Sequence, residues 1–178
     1  MKKFAFHGML LALGILLAAC GSNTPTAKPA NTPANVDFNE FLTLVNQFRS
    51  QPQVCKNGAA DENMPAVGPV AYNDALNTSA RLHSEDMANN NYFDHDSQDG
   101  TTFSQRNTNA GYTGFSTGEN IAAGGGSAQA AFNQWRTSTS GHCQGLMSAN
   151  SNEIGLGYGF NANSDFTHYW TFVSGRRN

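Results

Sequence analysis

Apolar residues recur every three to four positions in two separate stretches of the first half of the chain. Asp37, with Glu40 three positions later, is typical of a helix start. The apolar residues that follow predict the first helix: Phe38, Phe41, Leu42, Val45 and Phe48. Asn73 is placed to cap a second helix, whose predicted inward stripe is Leu76, Ala80, His83 and Met87. Residues 55–70 contain glycine and proline without periodicity, which predicts a loop.

The second half changes from helical spacing to strict alternation. Residues 102–109 have the features of a short helix, and Ser127 opens a fourth helix that Gly141 ends. Two alternating series then lie on either side of a polar turn at 161–165: Ile154, Leu156, Tyr158 and Phe160, then Phe166, His168, Trp170 and Phe172. Such alternation predicts an antiparallel hairpin. Helices followed by paired strands predict an α+β fold with helices packed on a small antiparallel sheet.

The N-terminus has the features of an export signal. Lys2 and Lys3 form a short basic segment, and residues 9–19 are almost entirely apolar. Because a spanning helix needs roughly 20 apolar residues, residues 1–19 are predicted to be a cleaved signal peptide. The signal ends in Leu-Ala-Ala-Cys, which resembles the lipobox of bacterial lipoproteins. This resemblance implies that Cys20 is acylated and anchors the mature protein to the envelope. An ordinary signal peptide with an incidental cysteine is the alternative.

Residues 20–36 predict a tether between the lipid and the folded domain. The segment is small and polar, contains three prolines and has no large apolar side chain before Val36, so it cannot bury enough surface to offset its ordering entropy. The residue after Cys20 is Gly21, not the aspartate that retains many lipoproteins at the inner membrane. In a Gram-negative cell the outer membrane is therefore the expected location. Residues 37–178, which have the length of one domain, would face the periplasm or the cell exterior.

The net charge of the chain argues against nucleic acid as a partner. The formal net charge is −3, and loss of Lys2 and Lys3 with the signal peptide would leave 8 basic against 13 acidic residues. The chain shows no basic stripe with interleaved aromatic residues. Nucleic-acid binding is therefore not expected.

The three cysteines are predicted to have two different roles. Once Cys20 is assigned to the lipid, Cys55 and Cys143 remain as a pair, and an oxidising compartment favours a disulfide between them. In the chain-entropy model, a loop of this length stabilises the fold by about 4–5 kcal/mol. Two separately buried thiols, or Cys143 as a reactive thiol beside His142, are the alternatives.

A series of short motifs runs through the domain in a fixed order: HSEDMA at 83–88, YFDH at 92–95, GENIA at 118–122, SGH at 140–142, EIGLG at 153–157 and YWTFV at 169–173. This succession resembles the CAP superfamily, which includes the SCP-like domains of cysteine-rich secretory proteins, antigen five and plant pathogenesis-related proteins. The bacterial SCP-like branch is the most similar. The resemblance extends from Asn39 to Gly175, and GENIA after an upstream Phe-x-His is its most specific part.

The resemblance implies an α-β-α sandwich with an open central cleft lined by two histidines and two acidic residues. His95 matches the first histidine, Glu119 the acid of Gly-Glu-Asn, and His142 the histidine after the long helix. The second acid of the animal and plant members would fall near Ser138, where this sequence departs from the family.

Two imidazoles and one carboxylate are a donor set that suits Zn²⁺ or another divalent cation with an open coordination position. Glu119 could then be a direct ligand or a base acting through water. The alternative is a polar, hydrogen-bonded cluster with neither metal nor catalysis.

Three functions are consistent with these residues. The first is an envelope-anchored binding module whose cleft holds a lipid, glycan or peptide. The second is a metal-assisted hydrolase of peptide or cell-wall material centred on His95, Glu119 and His142. The third is an interaction protein with a vestigial cleft. The missing second acid favours binding over catalysis, and fold alone does not decide between them.

Overall fold

The computed structural model describes residues 36–178, so the predicted signal peptide, Cys20 and the tether up to residue 35 lie outside it. The helices are α1 (Phe38–Arg49), α2 (Asp74–Asn90), α3 (Phe103–Asn109), α4 (Ala128–Arg136) and α5 (His142–Leu146). The strands are β1 (Gln53–Asn57), β2 (Ala60–Met64), β3 (Ala71–Tyr72), β4 (Phe115–Ala123), β5 (Glu153–Phe160) and β6 (His168–Arg176). None of the helices in this part of the chain combines the length and apolar character needed to cross a membrane.

The first four helices begin at the residues that the sequence predicts. Asp37 accepts hydrogen bonds from the backbone N–H groups of Asn39 and Glu40, at 2.9 and 3.0 Å. Asn73 and Ser127 cap α2 and α4 in the same way. Thr102 forms a reciprocal capping box at the start of α3. These side chains satisfy N–H groups that have no partner within their helices.

A four-stranded sheet forms the centre of the domain, in the order β3-β5-β6-β4. The predicted hairpin is confirmed, because β5 and β6 pair antiparallel with Leu156 opposite Phe172. Strand β4 pairs antiparallel with the other side of β6, whereas the short β3 pairs parallel with β5. The sheet is therefore mostly, but not wholly, antiparallel.

One face of the sheet is in very close contact with α2. Gly155, Gly157 and Gly159 alternate along β5 and face α2. A Cβ at Gly157 would lie 2.1 Å from the backbone carbonyl of Ala80, and one at Gly155 would lie 2.2 Å from the carbonyl carbon of Leu76. Because no side chain fits in this space, the α2 backbone rests directly on β5.

The other face of the sheet carries an aromatic core. Phe41 from α1 makes edge-to-face contacts with Phe132 and Trp135 from α4, at ring centroid distances of 6.3 and 6.0 Å. It also packs against Phe172 on β6, at 6.3 Å. With α2 and α3 on one side of the sheet and α1 and α4 on the other, the predicted α-β-α sandwich is confirmed.

Two predictions about connecting segments were wrong. Residues 55–70 are not simply a loop, because β1 and β2 form an antiparallel hairpin whose turn contains Gly58 at a φ of +59°. Most residues of this hairpin are exposed, so its sequence shows no alternation of apolar and polar residues. Gly141 also does not end α4, which stops at Arg136. With its φ of +88°, Gly141 instead precedes α5.

The disulfide between Cys55 and Cys143 is confirmed. It joins β1 to α5 across 88 residues, and both cysteines are fully buried beside Met147. The two alternatives with free thiols are therefore excluded. The bond fixes α5, and with it His142 at the first position of that helix.

Candidate functional site

Glu119 is a residue of β4 and lies on the face of the sheet that α2 covers. Its Oε1 accepts a hydrogen bond from Nδ1 of His95 at 2.9 Å, and its Oε2 accepts one from Nη2 of Arg106 at 2.6 Å. The Glu119 side chain is only 1% exposed, whereas that of His95 is 50% exposed. The carboxylate therefore lies behind the imidazole, which faces solvent.

Arg106, which the sequence analysis missed, holds the loop that carries His95. Its Nη2 also donates to the carbonyl of His95 at 2.9 Å, and its Nη1 donates to the carbonyl of Thr101 at 2.8 Å. On the other side, Nε2 of the buried His83 donates to the carbonyl of Asp94 at 3.0 Å. His83 was predicted to be a buried structural histidine, and this contact shows that it fixes the residue preceding His95.

His142 is positioned through the neighbour of Glu119. Successive residues of a strand face opposite sides of a sheet, so Asn120 points away from Glu119. Nδ2 of Asn120 donates to the carbonyl of His142 at 2.9 Å. Two consecutive residues of the Gly-Glu-Asn motif thus fix His95 and His142, each from its own face of β4.

The two imidazoles have opposite electrostatic environments. The hydrogen bond to Glu119 raises the pKa of His95, and burial opposes this increase. Burial lowers the pKa of His142, and the positive charge of His95 lowers it further. At neutral pH, His142 is therefore held in its uncharged form.

His142 also lines a hollow of about 460 Å³ beside the outer edge of β4. Its wall includes Ser138, near which the second acid of the family was expected, and three aromatic side chains, Phe93, Trp135 and Phe166. Glu119 and His95 are not part of this wall. The hollow therefore extends the site from His142 and does not contain all three predicted residues.

Comparison with known protein families agrees with this architecture. The model of the Cysteine-rich secretory protein family, CAP, matches residues 42–174. The chain belongs to the CAP family. The match covers the sheet from β3 to β6 together with His95, Glu119 and His142.

The CAP domain is similar to proteins from several organisms. It is 29% identical to YkwD of Bacillus subtilis over 142 residues, which is 79% of this chain and 54% of YkwD. It shares 33% identity with an extracellular SCP-domain protein of Bacillus anthracis, with a TM-score of 0.48 over 60% of this chain and 34% of that one. An outer surface protein of Borrelia burgdorferi has a TM-score of 0.59 at 17% identity, over 83% of this chain and 100% of that one. The chain thus spans about half of YkwD and about a third of the Bacillus anthracis protein.

The donor set of this CAP domain is not a complete metal site by itself. Within residues 36–178, no three His, Cys, Asp or Glu side chains are grouped as a metal site. Both oxygens of Glu119 are already bonded, but its contact with Nδ1 of His95 leaves Nε2 as the ring nitrogen not bonded to the carboxylate. A carboxylate behind an imidazole is the usual support for a metal-bound histidine. If Zn²⁺ bound here, His95 and His142 would be the imidazoles to hold it, with Glu119 as a supporting residue and not as a ligand.

Proposed function

We propose that this protein is an extracytoplasmic CAP-domain lipoprotein that binds a ligand in the cleft beside His142, without hydrolysing it. The observation that carries the proposal is the enclosure of Glu119. Its side chain is 1% exposed, and both of its oxygens already accept hydrogen bonds from His95 and Arg106.

Hydrolysis would need a group that can take a proton from water. A general base must come within about 3 Å of the proton it removes, directly or through one water molecule. The Glu119 carboxylate is enclosed behind His95 and Arg106 and is not exposed to such a water, and Ser138 stands near the place where the family has its second acid. A hydrolase would therefore have to use the imidazole of His95 or of His142, without a carboxylate base.

A divalent cation is compatible with the binding function. Zn²⁺ would be held by His95 and His142, and when bound it would polarise an oxygen of the ligand. Glu119 would fix the orientation of the His95 ring, as it does through the 2.9 Å hydrogen bond. The site would then discriminate ligands by their oxygen donors.

The proposed location depends on the N-terminal segment and on the disulfide. The basic start, the short apolar run and Leu-Ala-Ala-Cys support lipidation of Cys20. The bond between Cys55 and Cys143 is typical of an oxidising compartment outside the cytoplasm. In a Gram-negative cell, Gly21 favours the outer membrane.

Metabolic labelling tests the anchor. Cells expressing the full chain are fed an alkyne-bearing palmitate analogue, and the purified protein is examined for label. We expect label on the unmodified chain and none on the Cys20→Ala variant. Label that persists in Cys20→Ala, or an unlabelled parent chain in cells that label other lipoproteins, would contradict the anchor.

Two assays on the detergent-solubilised mature protein separate binding from hydrolysis. For metal, we expect one zinc per chain after dialysis against zinc, and loss of this zinc in a His95→Ala/His142→Ala double variant. For hydrolysis, we expect no turnover of cell-wall fragments or peptides, with or without zinc. Turnover that disappears in Glu119→Gln would establish the metal-assisted hydrolase instead.

A further inference from the structure

Two large aromatic side chains at the His142 hollow are exposed without an evident structural reason. Phe93 is 41% exposed and Phe166 is 46% exposed, and both line the hollow. Their ring centroids are 5.6 Å apart, and the buried Tyr169 lies behind them at 6.5 and 5.9 Å. Exposed aromatic rings that pack together on a buried residue are typical of a contact surface for a ligand.

The backbone beside Phe166 is strained. Thr167 has a φ of +65°, a region that β-branched residues rarely adopt. The N–H of His168 donates to the carbonyl of Phe166 at 2.7 Å, which closes a three-residue turn around Thr167. The turn directs the chain so that Phe166 packs beside Phe93. Strain of this kind occurs preferentially at ligand sites.

The rest of the wall is uncharged and has an apolar part, formed by residues 121–123 and Trp135, and a polar part. Gln134, Thr137, Ser138 and Thr139 supply hydroxyl and amide groups. Among the described residues that line the hollow, there is no Lys, Arg, Asp or Glu. The hollow therefore suits a neutral ligand with hydrogen-bonding groups along one edge.

The edge of β4 is closed to an extended peptide. Strand addition would need free carbonyl groups on this edge strand. Nε1 of Trp135 already donates to the carbonyl of Ile121 at 3.0 Å, and Nε2 of Gln134 donates to the carbonyl of Ala123 at 3.2 Å.

We propose that the hollow binds a neutral saccharide. One sugar ring places its C–H face on the rings of Phe93 and Phe166, because these C–H groups are positively polarised and the aromatic faces are negative. Its hydroxyl groups, which both donate and accept, pair with Gln134 and with the hydroxyls of residues 137–139. The volume of about 460 Å³ lies within the range of about 300–1,000 Å³ that is usual for small-molecule sites. This inference rests on the proposed binding function and names its ligand class.

Calorimetry with defined sugars tests the proposal. The probes are neutral tetrasaccharides of glucose and of N-acetylglucosamine, titrated into the metal-stripped, detergent-solubilised mature protein. We expect at least one of them to bind, and we expect tetragalacturonate, which is acidic and of the same length, to bind at least tenfold more weakly. Phe93→Ala and Phe166→Ala should each weaken binding of the neutral probe about tenfold or more. Phe93→Trp, which retains an aromatic face, should preserve it.

Phe115→Ala is the matched control, because Phe115 is 71% exposed but does not line the hollow. It should bind the neutral probe as the parent does. Equal binding by the parent, Phe93→Ala and Phe166→Ala would overturn the aromatic site while leaving the binding function in place. A parent protein that binds neither neutral tetrasaccharide but binds a lipid micelle or a proline-rich peptide would overturn the saccharide assignment alone. Cleavage of the probe would instead overturn the proposed binding function.

Discussion

The two faces of the central sheet use opposite means to hold their helices. On the α2 face, the glycines of β5 remove every side chain between strand and helix, so main chain lies against main chain. On the opposite face, Phe41, Trp135 and Phe172 fill a wide space with aromatic rings. The first arrangement leaves no room for adjustment, whereas the second distributes its contacts over many atoms that can shift.

This difference matters for the candidate site. Glu119 lies on the rigid side, where Arg106 joins its carboxylate to the carbonyls of His95 and Thr101. His142 is reached from the other side of β4, through Asn120. The supporting carboxylate is therefore on the face that tolerates the least movement, whereas the hollow at the edge of β4 is lined from both faces, by Trp135 on the aromatic side and by Phe93, which packs on Tyr169 on the α2 side.

The most severe test of the comparison is a small side chain on the glycine face. In Gly157→Val, the new Cβ would lie 2.1 Å from the backbone of Ala80, and main chain cannot rotate aside as a side chain can. We expect a loss of about 5 kcal/mol or more, which leaves little folded protein. The measurement is urea unfolding followed by circular dichroism. Gly68→Val is the control, since nothing lies within 4 Å of its Cβ position; a similar loss in both variants would refute the argument.

The disulfide stabilises a region that belongs to neither face. Replacing both cysteines in Cys55→Ala/Cys143→Ala frees the β1–β2 hairpin from α5. We expect a loss of about 4 kcal/mol, because the bond closes a loop across 88 residues. Urea unfolding of the double variant, compared with the oxidised parent, measures this loss, and the double variant is also compared with the reduced parent as a control. A difference of more than about 1 kcal/mol between the two would show that the alanines have an effect beyond the lost bond.

The aromatic face should tolerate a conservative change far better than the glycine face. Phe41→Leu keeps an apolar side chain of reduced size among Phe132, Trp135 and Phe172. We expect a loss of about 1–2 kcal/mol with retention of the native fold, because surrounding rings can partly close the space. Urea unfolding of this variant beside Gly157→Val gives the comparison directly. A larger loss in Phe41→Leu would reverse our account of the two faces.

The sequence predicted those elements whose signals are local. Caps such as Asn73 and Ser127 mark helix starts, and the alternation in β5 follows from large apolar side chains on the aromatic face and glycines beneath α2. Strand β4 was not predicted, because it turns from exposed Phe115 to the buried run Ile121–Ala122 and shows no clean period. The β1–β2 hairpin was missed because it is mostly exposed and packs few side chains in a core.

The site was predictable only in part. His95, Glu119 and His142 were found through their motifs, and the structure joins the first two directly. Arg106 lies in no recognisable motif, because its role comes from contacts with a loop and a strand that only the fold brings together. The exposure of Phe93 and Phe166 was equally invisible, since their spacing in the sequence suits a core as well as a surface.

The smallest expected effect is the change of the free energy of unfolding with pH. The pKa of His95 is raised in the folded protein, so its contribution to stability is fully present below the unfolded value near 6.5 and is lost as pH rises through the folded value. The lowered pKa of His142 has the opposite effect on stability. Because the unfolded chain binds that proton more readily, the free energy of unfolding falls as pH drops below about 6.5. Urea unfolding at several pH values should show a smaller loss of stability between pH 6 and 8 in Glu119→Gln.

The enclosure of Glu119 behind His95 is tested most directly by the ring NMR titration of His95 in the metal-stripped mature protein, beside Glu119→Gln. We predict a His95 pKa above the ordinary value in the parent and a lower one in the variant, with His142 below the ordinary value in both. An ordinary pKa for His95 in the parent, unchanged in Glu119→Gln, would contradict the account.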